Sequence, residues 1–426
     1  MPSIPLFLAT GLFVAVNSVR VWTVEGATPA DRAGASVSFL GDLDGDGAPE
    51  IVFGAPRAPH PDSGEPTGEV HVLSGLTGTT LMVRRGGEAY DAFGSAVCGA
   101  GDLNGDGWDD VLVGSPAGTP PSGSVHALSG RDGSTLWIRA GKAAGERFGH
   151  ALARVADVDG DGRPDVLVGA PHADTDGWNS GRVELCSGAD GSLLRGFVGA
   201  TGDFLGLALC SLSDVNGDGA GDLVLGAPFA DTEAFNGGSV HVVSGLDGTI
   251  LFSVHGDQPG DLLGHALAPA GDVNADGLPD AALVAPGQDE GYVDAGAVRV
   301  VSGADGATLL VAGAGGPGLY LSAAAGPGDL DFDGCADVAL GIAAADTPAG
   351  SEAGLVRVVS GRTGCTLLEI HGRKTREWFG AALAGPGDVD GDGRVELLVG
   401  VPVHDDELRR PGSIELIRPT ALSGCR

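Results

Sequence analysis

A chain of 426 residues can hold two or three ordinary domains or one large repeat architecture, and its 76 glycines follow no strict triplet period. Set among abundant aliphatic residues, that composition excludes a collagen-like or disordered chain. With 57 acidic against 24 basic side chains, a formal net charge of -33, the protein repels phosphate backbones and anionic lipid, so nucleic acid is not an expected partner.

Taken in chain order, Met1 to Val16 holds an apolar run the length of a signal-peptide core and too short to span a bilayer. Residues 1–17 are therefore read as an export segment, although no basic stretch precedes the run, with a mispredicted start or an extra buried strand as the alternative. No later stretch is long and apolar enough for a membrane helix. Val19 to Val24 (VRVWTV) reads as a strand, and after it an oxygen-rich loop recurs. The loops begin at Asp42, Asp102, Asp157, Asp214, Asp272, Asp329 and Asp388, spaced 60, 55, 57, 58, 57 and 59 residues apart.

Each copy has the same order. An FG-like pair (Phe93-Gly94, Phe148-Gly149, Phe379-Gly380) precedes the acidic loop, and a short apolar run such as Val166 to Pro171 follows it. A variable loop then leads to GxVHVxSG, as at Gly238 to Gly245, a tight turn and a last apolar run, TILFSV. Short runs rich in Val and Leu, bounded by Gly, Pro or Asp, are strands and leave no room for helices. Four strands per copy and seven copies predict an all-β, seven-bladed β-propeller of four-stranded antiparallel blades, in which each blade buries its faces against its neighbours. The strand nearest the axis must be slim, and FGSAVCGAG and FGHALARVA are full of Gly and Ala. A parallel β-helix is the rival architecture, but its rungs are far shorter than these repeats. The seventh copy runs out after its third strand, Gly412 to Pro419, so Val19 to Val24 is expected to lie beside Ile414 to Ile417 and close the ring. The domain is thus 18–419, with 420–426 a short tail.

The loops share the pattern D-x-[DN]-x-D-G-x-x-[DE]. Side-chain oxygens come from Asp42, Asp44, Asp46 and Glu50 in the first, from Asp102, Asn104, Asp106 and Asp110 in the second, and from Asp157, Asp159, Asp161 and Asp165 in the third. The fourth offers Asp214, Asn216, Asp218 and Asp222, and the fifth Asp272, Asn274, Asp276 and Asp280. The sixth has Asp329, Asp331, Asp333 and Asp337, and the seventh Asp388, Asp390, Asp392 and Glu396. Such a cage, with a carbonyl from the seventh position and glycine at the sixth for the sharp turn, suits Ca²⁺ and its six to eight oxygen ligands. Up to seven ions are expected. Asn at the third position lowers the charge and keeps an oxygen. Ala275 and Phe332 in place of the fourth-position glycine, and Cys335 at the seventh, mark the fifth and sixth loops as weak or empty. At millimolar calcium each site adds about 0.4–1.4 kcal/mol, so the set can rival the whole folding stability of a domain. The bland alternative is a turn rich in Asp and Gly that binds nothing.

EF-hand and dockerin loops have related spacing but run into a helix, whereas these run into a strand that stops at Gly-Ala-Pro. The chain resembles the FG-GAP repeat family, the seven-bladed propeller at the N-terminus of integrin α chains and in many bacterial exported proteins. The resemblance covers Val19 to about Pro419. It departs at Ala33-Gly34, Leu205-Gly206, Leu263-Gly264 and Tyr320-Leu321, which stand for FG, and at Val284-Ala285-Pro286 and Gly341-Ile342-Ala343, which stand for GAP. The resemblance implies cation loops between the first and second strands of each blade. It also implies a monomeric, non-catalytic binding or adhesion module, secreted or at the cell surface, for an extracellular protein or glycan.

No GxSxG, HExxH or phosphate loop is present. His71, His126 and His241 share a repeat position with Glu184, Arg299, Arg357 and Glu415, which reads as solvent-facing. His150 and His265 follow the FG-like pair and belong near the axis. The second-to-third-strand loops HADTDGWNSG, FADTEAFNGG and QDEGYVDAG present Trp178, Phe235 and Tyr292 on the face opposite the cation loops. These rings either form a recognition face or brace adjacent blades. The alternative function is a polysaccharide lyase or hydrolase in the propeller's central depression, which would need several acidic or basic groups converging near the axis on one face. Six cysteines without CxxC spacing argue against zinc and leave disulfides or buried thiols open.

Overall fold

The computed structural model describes residues 18–118, 122–290, 293, 295–316, 319–403 and 410–420. The expected export segment, Tyr292 and Cys425 lie outside the described residues. The described residues form seven four-stranded antiparallel sheets and no helix. Blade 3 is typical, with strands Leu152–Val155, Asp165–Ala170, Arg182–Cys186 and Leu193–Val198 from the axis outward. Blade 7 takes Ala382–Gly387, Glu396–Val401 and Ser413–Pro419 from one end of the chain and Ser18–Glu25 from the other. In the closing pair Val24 lies opposite Ile414 and Arg20 opposite Ile417, the pairing expected for the N-terminal strand. The innermost strand of blade 7 adjoins that of blade 1, so the ring is complete.

The core is divided. Seven apolar clusters each fill one seam between adjacent blades. Alternation along the second strand serves two seams at once: Val166, Val168 and Ala170 pack toward blade 2, while Leu167 packs toward blade 4. The first residue of each FG-like pair plugs a seam, and Phe93, Phe148, Leu205, Leu263 and Phe379 are all buried. Burying a side chain of this size contributes about 1.5–3 kcal/mol.

The GAP glycine has a steric reason. A Cβ on Gly169 would sit 2.1 Å from the carbonyl oxygen of Gly206, the FG-like glycine of the next blade, and Gly114 meets Gly149 at the same 2.1 Å. Backbones therefore touch where the two signature glycines face one another. In blade 6 the expected Tyr320-Leu321 pair is out of register by one. Leu321 is the buried plug, and the N–H of Ser322 donates to the Gly341 carbonyl as Gly149 does to Gly169. Ser322 thus takes the glycine position, and Val284 takes the GAP glycine position in blade 5. Both departures fall on the seam between blades 5 and 6.

The shared third-strand position is not solvent-facing, contrary to expectation. Glu184 is 1% exposed, because the preceding blade's outer strand covers it. Arg139 of that strand reaches its carboxylate at 2.6 Å. Arg299 and Arg357 donate to the carbonyls of His255 and Gly313 in the same way, and His71 stacks on Phe53 with ring centroids 4.8 Å apart. A polar seam therefore runs between the blades outside the apolar one.

Candidate metal centres

All seven acidic loops join the first and second strands of their blades, and the two middle turns of each blade alternate in side, so the loops share one face. Their backbone geometry is common. The first carboxylate accepts the N–H of the sixth-position glycine, as Asp42 does from Gly47 at 2.9 Å and Asp214 from Gly219 at 2.8 Å. The fifth accepts the N–H of the seventh residue, as Asp46 does from Ala48 at 2.9 Å. The ninth is fully buried in every loop and accepts the N–H of the second residue, as Asp165 does from Val158 at 2.8 Å. In the five loops that end on Asp it also accepts from the glycine after the third strand, Gly130, Gly188, Gly245, Gly303 or Gly361. The left-handed backbone at the fourth position survives replacement of glycine: Ala275 has φ 59 and Phe332 has φ 60. A residue with a Cβ holds that conformation at a cost of about 1–2 kcal/mol.

The third position separates the loops. Its side-chain oxygen accepts the N–H of the fifth residue, in Asp44 at 3.0 Å and in Asn104 and Asn216 at 2.8 Å. A carboxylate then has a second oxygen and a full charge to offer an ion. An amide has one oxygen, with one lone pair left, and an N–H₂ in place of the second. Asn216 donates that group to Asp218 and Asn274 donates it to Asp276, both at 2.8 Å, while Asn104 turns it toward Asp110 at 3.4 Å. These three loops therefore bring one charge and one oxygen fewer to an ion than a loop with Asp at the third position.

Carboxylates converge in the other four. Ligand atoms of Asp42, Asp44, Asp46 and Glu50 all lie within 4.8 Å of one another. So do those of Asp157, Asp159 and Asp165, of Asp329, Asp331 and Asp333, and of Asp388, Asp390 and Glu396. Loop 6 thus gathers three carboxylates despite Phe332 and Cys335. In loop 7 the protein supplies its own cation: Arg418 bonds Glu396 at 2.7 Å and also pairs with Asp390. Asp161 and Asp392, expected ligands, are outside these groups and spend one oxygen each on the following turn.

The crowding has an electrostatic signature. Burial, together with the charges of Asp44, Asp42 and Asp46, pushes the Glu50 carboxyl up to about 7. Burial likewise pushes Asp110, Asp165 and Asp337 up to about 6 and raises Asp222, Asp280 and Glu396. One oxygen of Glu50, Oε1, is buried with no hydrogen-bond partner. An orphaned buried carboxylate oxygen beside three more carboxylates is what a hard divalent cation would satisfy.

On the opposite face, Trp178 and Phe235 are both 69% exposed, and the Trp178 ring meets that of Phe204 in the next blade edge to face with centroids 6.3 Å apart. The carbonyls of Trp178 and Phe235 also tie the blades, accepting from Gly202 and Gly260 of the next turn at 2.9 and 3.0 Å. Near the axis, burial pushes His150 down to about 4, with the charges of Arg147, His172 and His265 adding to the effect. His265 Nε2 lies 2.7 Å from the Tyr320 hydroxyl. The axial hollow between the inner strands, about 300 Å³, has walls of small apolar residues such as Ala153, Ala268 and Ala325, with Arg154 bringing a charge.

A second acidic residue in six of the seven repeats escaped the sequence reading. Asp31, Asp91, Glu146, Asp203, Asp261 and Glu377 stand two residues before the FG-like pair's first member and cap the turn entering their blades, as Asp203 does for the Ala200 N–H at 2.8 Å, while blade 6 has Leu319 there. The strings DAFG, ERFG, DFLG and EWFG carried the signal. The described cysteines Cys98, Cys186, Cys210 and Cys335 are free thiols.

The FG-GAP repeat family matches residues 33–73 and 205–243, and the FG-GAP-like repeat matches 102–168. Integrin alpha-PS2 of Drosophila melanogaster is 32% identical over 214 residues, which is 45% of this chain and 15% of that protein. Integrin alpha-4 of Xenopus laevis is 28% identical over 259 residues, 53% of this chain and 23% of that protein. The matches therefore span less than a quarter of these relatives' own length. A solved structure of BBS1N in complex with ARL6DN superposes with a TM-score of 0.57 at 10% identity, covering 95% of this chain and 97% of that one, a likeness of fold alone.

Proposed function

Because this chain is an FG-GAP repeat β-propeller, we propose that it is a calcium-stabilised, non-catalytic binding module, secreted or at the cell surface, for an extracellular protein or glycan. The observation that carries the reading is loop 1, where four carboxylates converge and one of them, Glu50, has a buried Oε1 with no hydrogen-bond partner. Bound calcium would neutralise oxygens that otherwise repel one another across the loop. Asp42, Asp44, Asp46 and Glu50 would hold it there, with the corresponding carboxylates of loops 3 and 6. The integrin α relatives support a role in adhesion or binding, and the exposed Trp178 and Phe235 provide contact area on the face away from the ions.

The test is a melting curve in millimolar calcium and in chelator. Three sites worth about 1 kcal/mol each should lower the midpoint by several degrees on chelation. An unchanged midpoint leaves the loops as turns and removes calcium from the account. An enzyme would have to work through groups such as the His265–Tyr320 pair at the axis. Incubation with neutral and acidic polysaccharides that yields new chain ends would replace the binding reading with a catalytic one.

A further inference from the structure

The ring is shut by two strands that no turn connects. In blades 1 to 6 the third and fourth strands form a hairpin, and the serine after the third strand belongs to its turn. The Ser244 N–H, for example, donates to the Thr249 carbonyl at 2.8 Å, and the Ser244 carbonyl accepts the Gly248 N–H at 2.9 Å. In blades 2 to 6 the glycine that follows gives its N–H to the ninth-position carboxylate of the acidic loop, as Gly188 does to Asp165 at 3.1 Å. In blade 7 the partner of Ser413–Pro419 is Ser18–Glu25 from the other end of the chain, with no hairpin between them. Released from the turn, the serine and glycine positions are Arg418 and Pro419.

Pro419 has no N–H, so the bond that glycine makes elsewhere must come from another donor. Arg418 supplies it. Its Nε donates to Glu396 Oε1 at 2.7 Å and its Nη2 to Asp390, while the buried Glu396 also accepts the Val389 N–H at 2.9 Å. Blade 1 is the counterexample. Its loop also ends on glutamate, yet Ser74 stands at the position of Arg418 and Glu50 Oε1 has no partner. Of the two loops that end on glutamate, one is filled by a side chain and the other is open.

Arg418 lies opposite Val19 in the closing pair. Its guanidinium therefore joins the acidic loop, the second strand that begins at Glu396, and the third strand on which Ser18–Glu25 is hung. The other fasteners of the closing strand are also side chains. Arg20 pairs with Glu415 and donates to the His371 carbonyl of blade 6 at 2.9 Å, and Trp22 Nε1 donates to the Gly75 carbonyl of blade 1 at 2.8 Å. A hairpin keeps its register through its short turn. Two strands linked only through the whole chain carry a larger loop-closure entropy, which side-chain bonds such as these offset.

We infer that Arg418 stands in for a divalent ion in loop 7 and that closure of the ring is for this reason independent of calcium. A guanidinium bridging Asp390 and Glu396 lies between oxygens that an ion would need, and its charge opposes a second cation there. Chelation then loosens the loops of blades 1, 3 and 6 and leaves the joined ends of the chain in place. Calcium stiffens one face of a ring that stays shut without it. The inference rests on the calcium reading of loops 1, 3 and 6 and adds which blade is exempt and what exempts it.

Backbone hydrogen exchange of the full chain is followed in millimolar calcium and in chelator. Residues 42–50, 157–165 and 329–337 should exchange at least about fivefold faster in chelator, while 18–25 and 413–419 change by less than about twofold. The variant R418Q should pass calcium dependence to the closing pair, with 18–25 and 413–419 protected in calcium and exchanging about fivefold faster in chelator. Should that variant not fold, R418K, which keeps the charge without the fork, should show the same shift in smaller measure. Loss of protection at 18–25 in the chelated wild-type protein, equal to that of the three loops, overturns the inference. So does a folded variant whose closing strands exchange alike in calcium and in chelator. Unaltered exchange in the loops of blades 1, 3 and 6 would instead strike the calcium reading itself, and the inference with it.

Discussion

The loops of blades 1 and 4 make the same turn and end on a buried carboxylate, yet one gathers four carboxylates and the other three and an amide. Asp44 and Asn216 both accept a backbone N–H, at 3.0 and 2.8 Å. Asp44 then has an oxygen to spare, whereas Asn216 has an N–H₂ group already committed to Asp218. The two loops thus differ by one oxygen and one charge at the same position, which a consensus that treats Asp and Asn alike misses.

The contrast breaks most visibly in a calcium titration. Calorimetry should give a stoichiometry near the count of the converging, uncompensated loops, those of blades 1, 3 and 6, and a value near seven would show that the amides turn over to ligate. Asp44→Asn remakes blade 1 in the image of blade 4. It should remove one bound ion and about 1 kcal/mol of calcium-dependent stability while leaving the chelated protein almost unchanged, as read by paired melts. Asn216→Asp runs the other way: a new ion in blade 4, a similar gain in calcium, and a loss of a few tenths of a kcal/mol in chelator from added repulsion. The smallest effect is expected from Arg418→Gln in blade 7, where Asp390 and Glu396 lose their internal partner. Calcium should then enter that loop, and the difference between calcium and chelator midpoints should widen.

Much of the architecture was legible because it repeats. Six near-equal spacings, a strand-length period and a missing fourth strand were enough to pair Val24 with Ile414. The slip at blade 6 came from trusting position over burial: Tyr320 and Leu321 are both apolar enough to serve, and only the seam shows that Leu321 is the plug. The third-strand position read as solvent-facing because it varies among His, Glu and Arg, but that variety reflects different polar partners across a seam. The amide direction at Asn104, Asn216 and Asn274 depends on hydrogen bonds to the turn, which composition does not encode.

Closure by Ser18–Glu25 also bears on how the protein is made. The strand that leaves the ribosome early must wait for Ser413–Pro419 before it has a partner, so blades 1 to 6 can form ahead of it and the seventh sheet forms last. Until then the nascent ring is an arc with two bare edges, and the interval before its ends meet is when neighbouring chains or proteases have access to it.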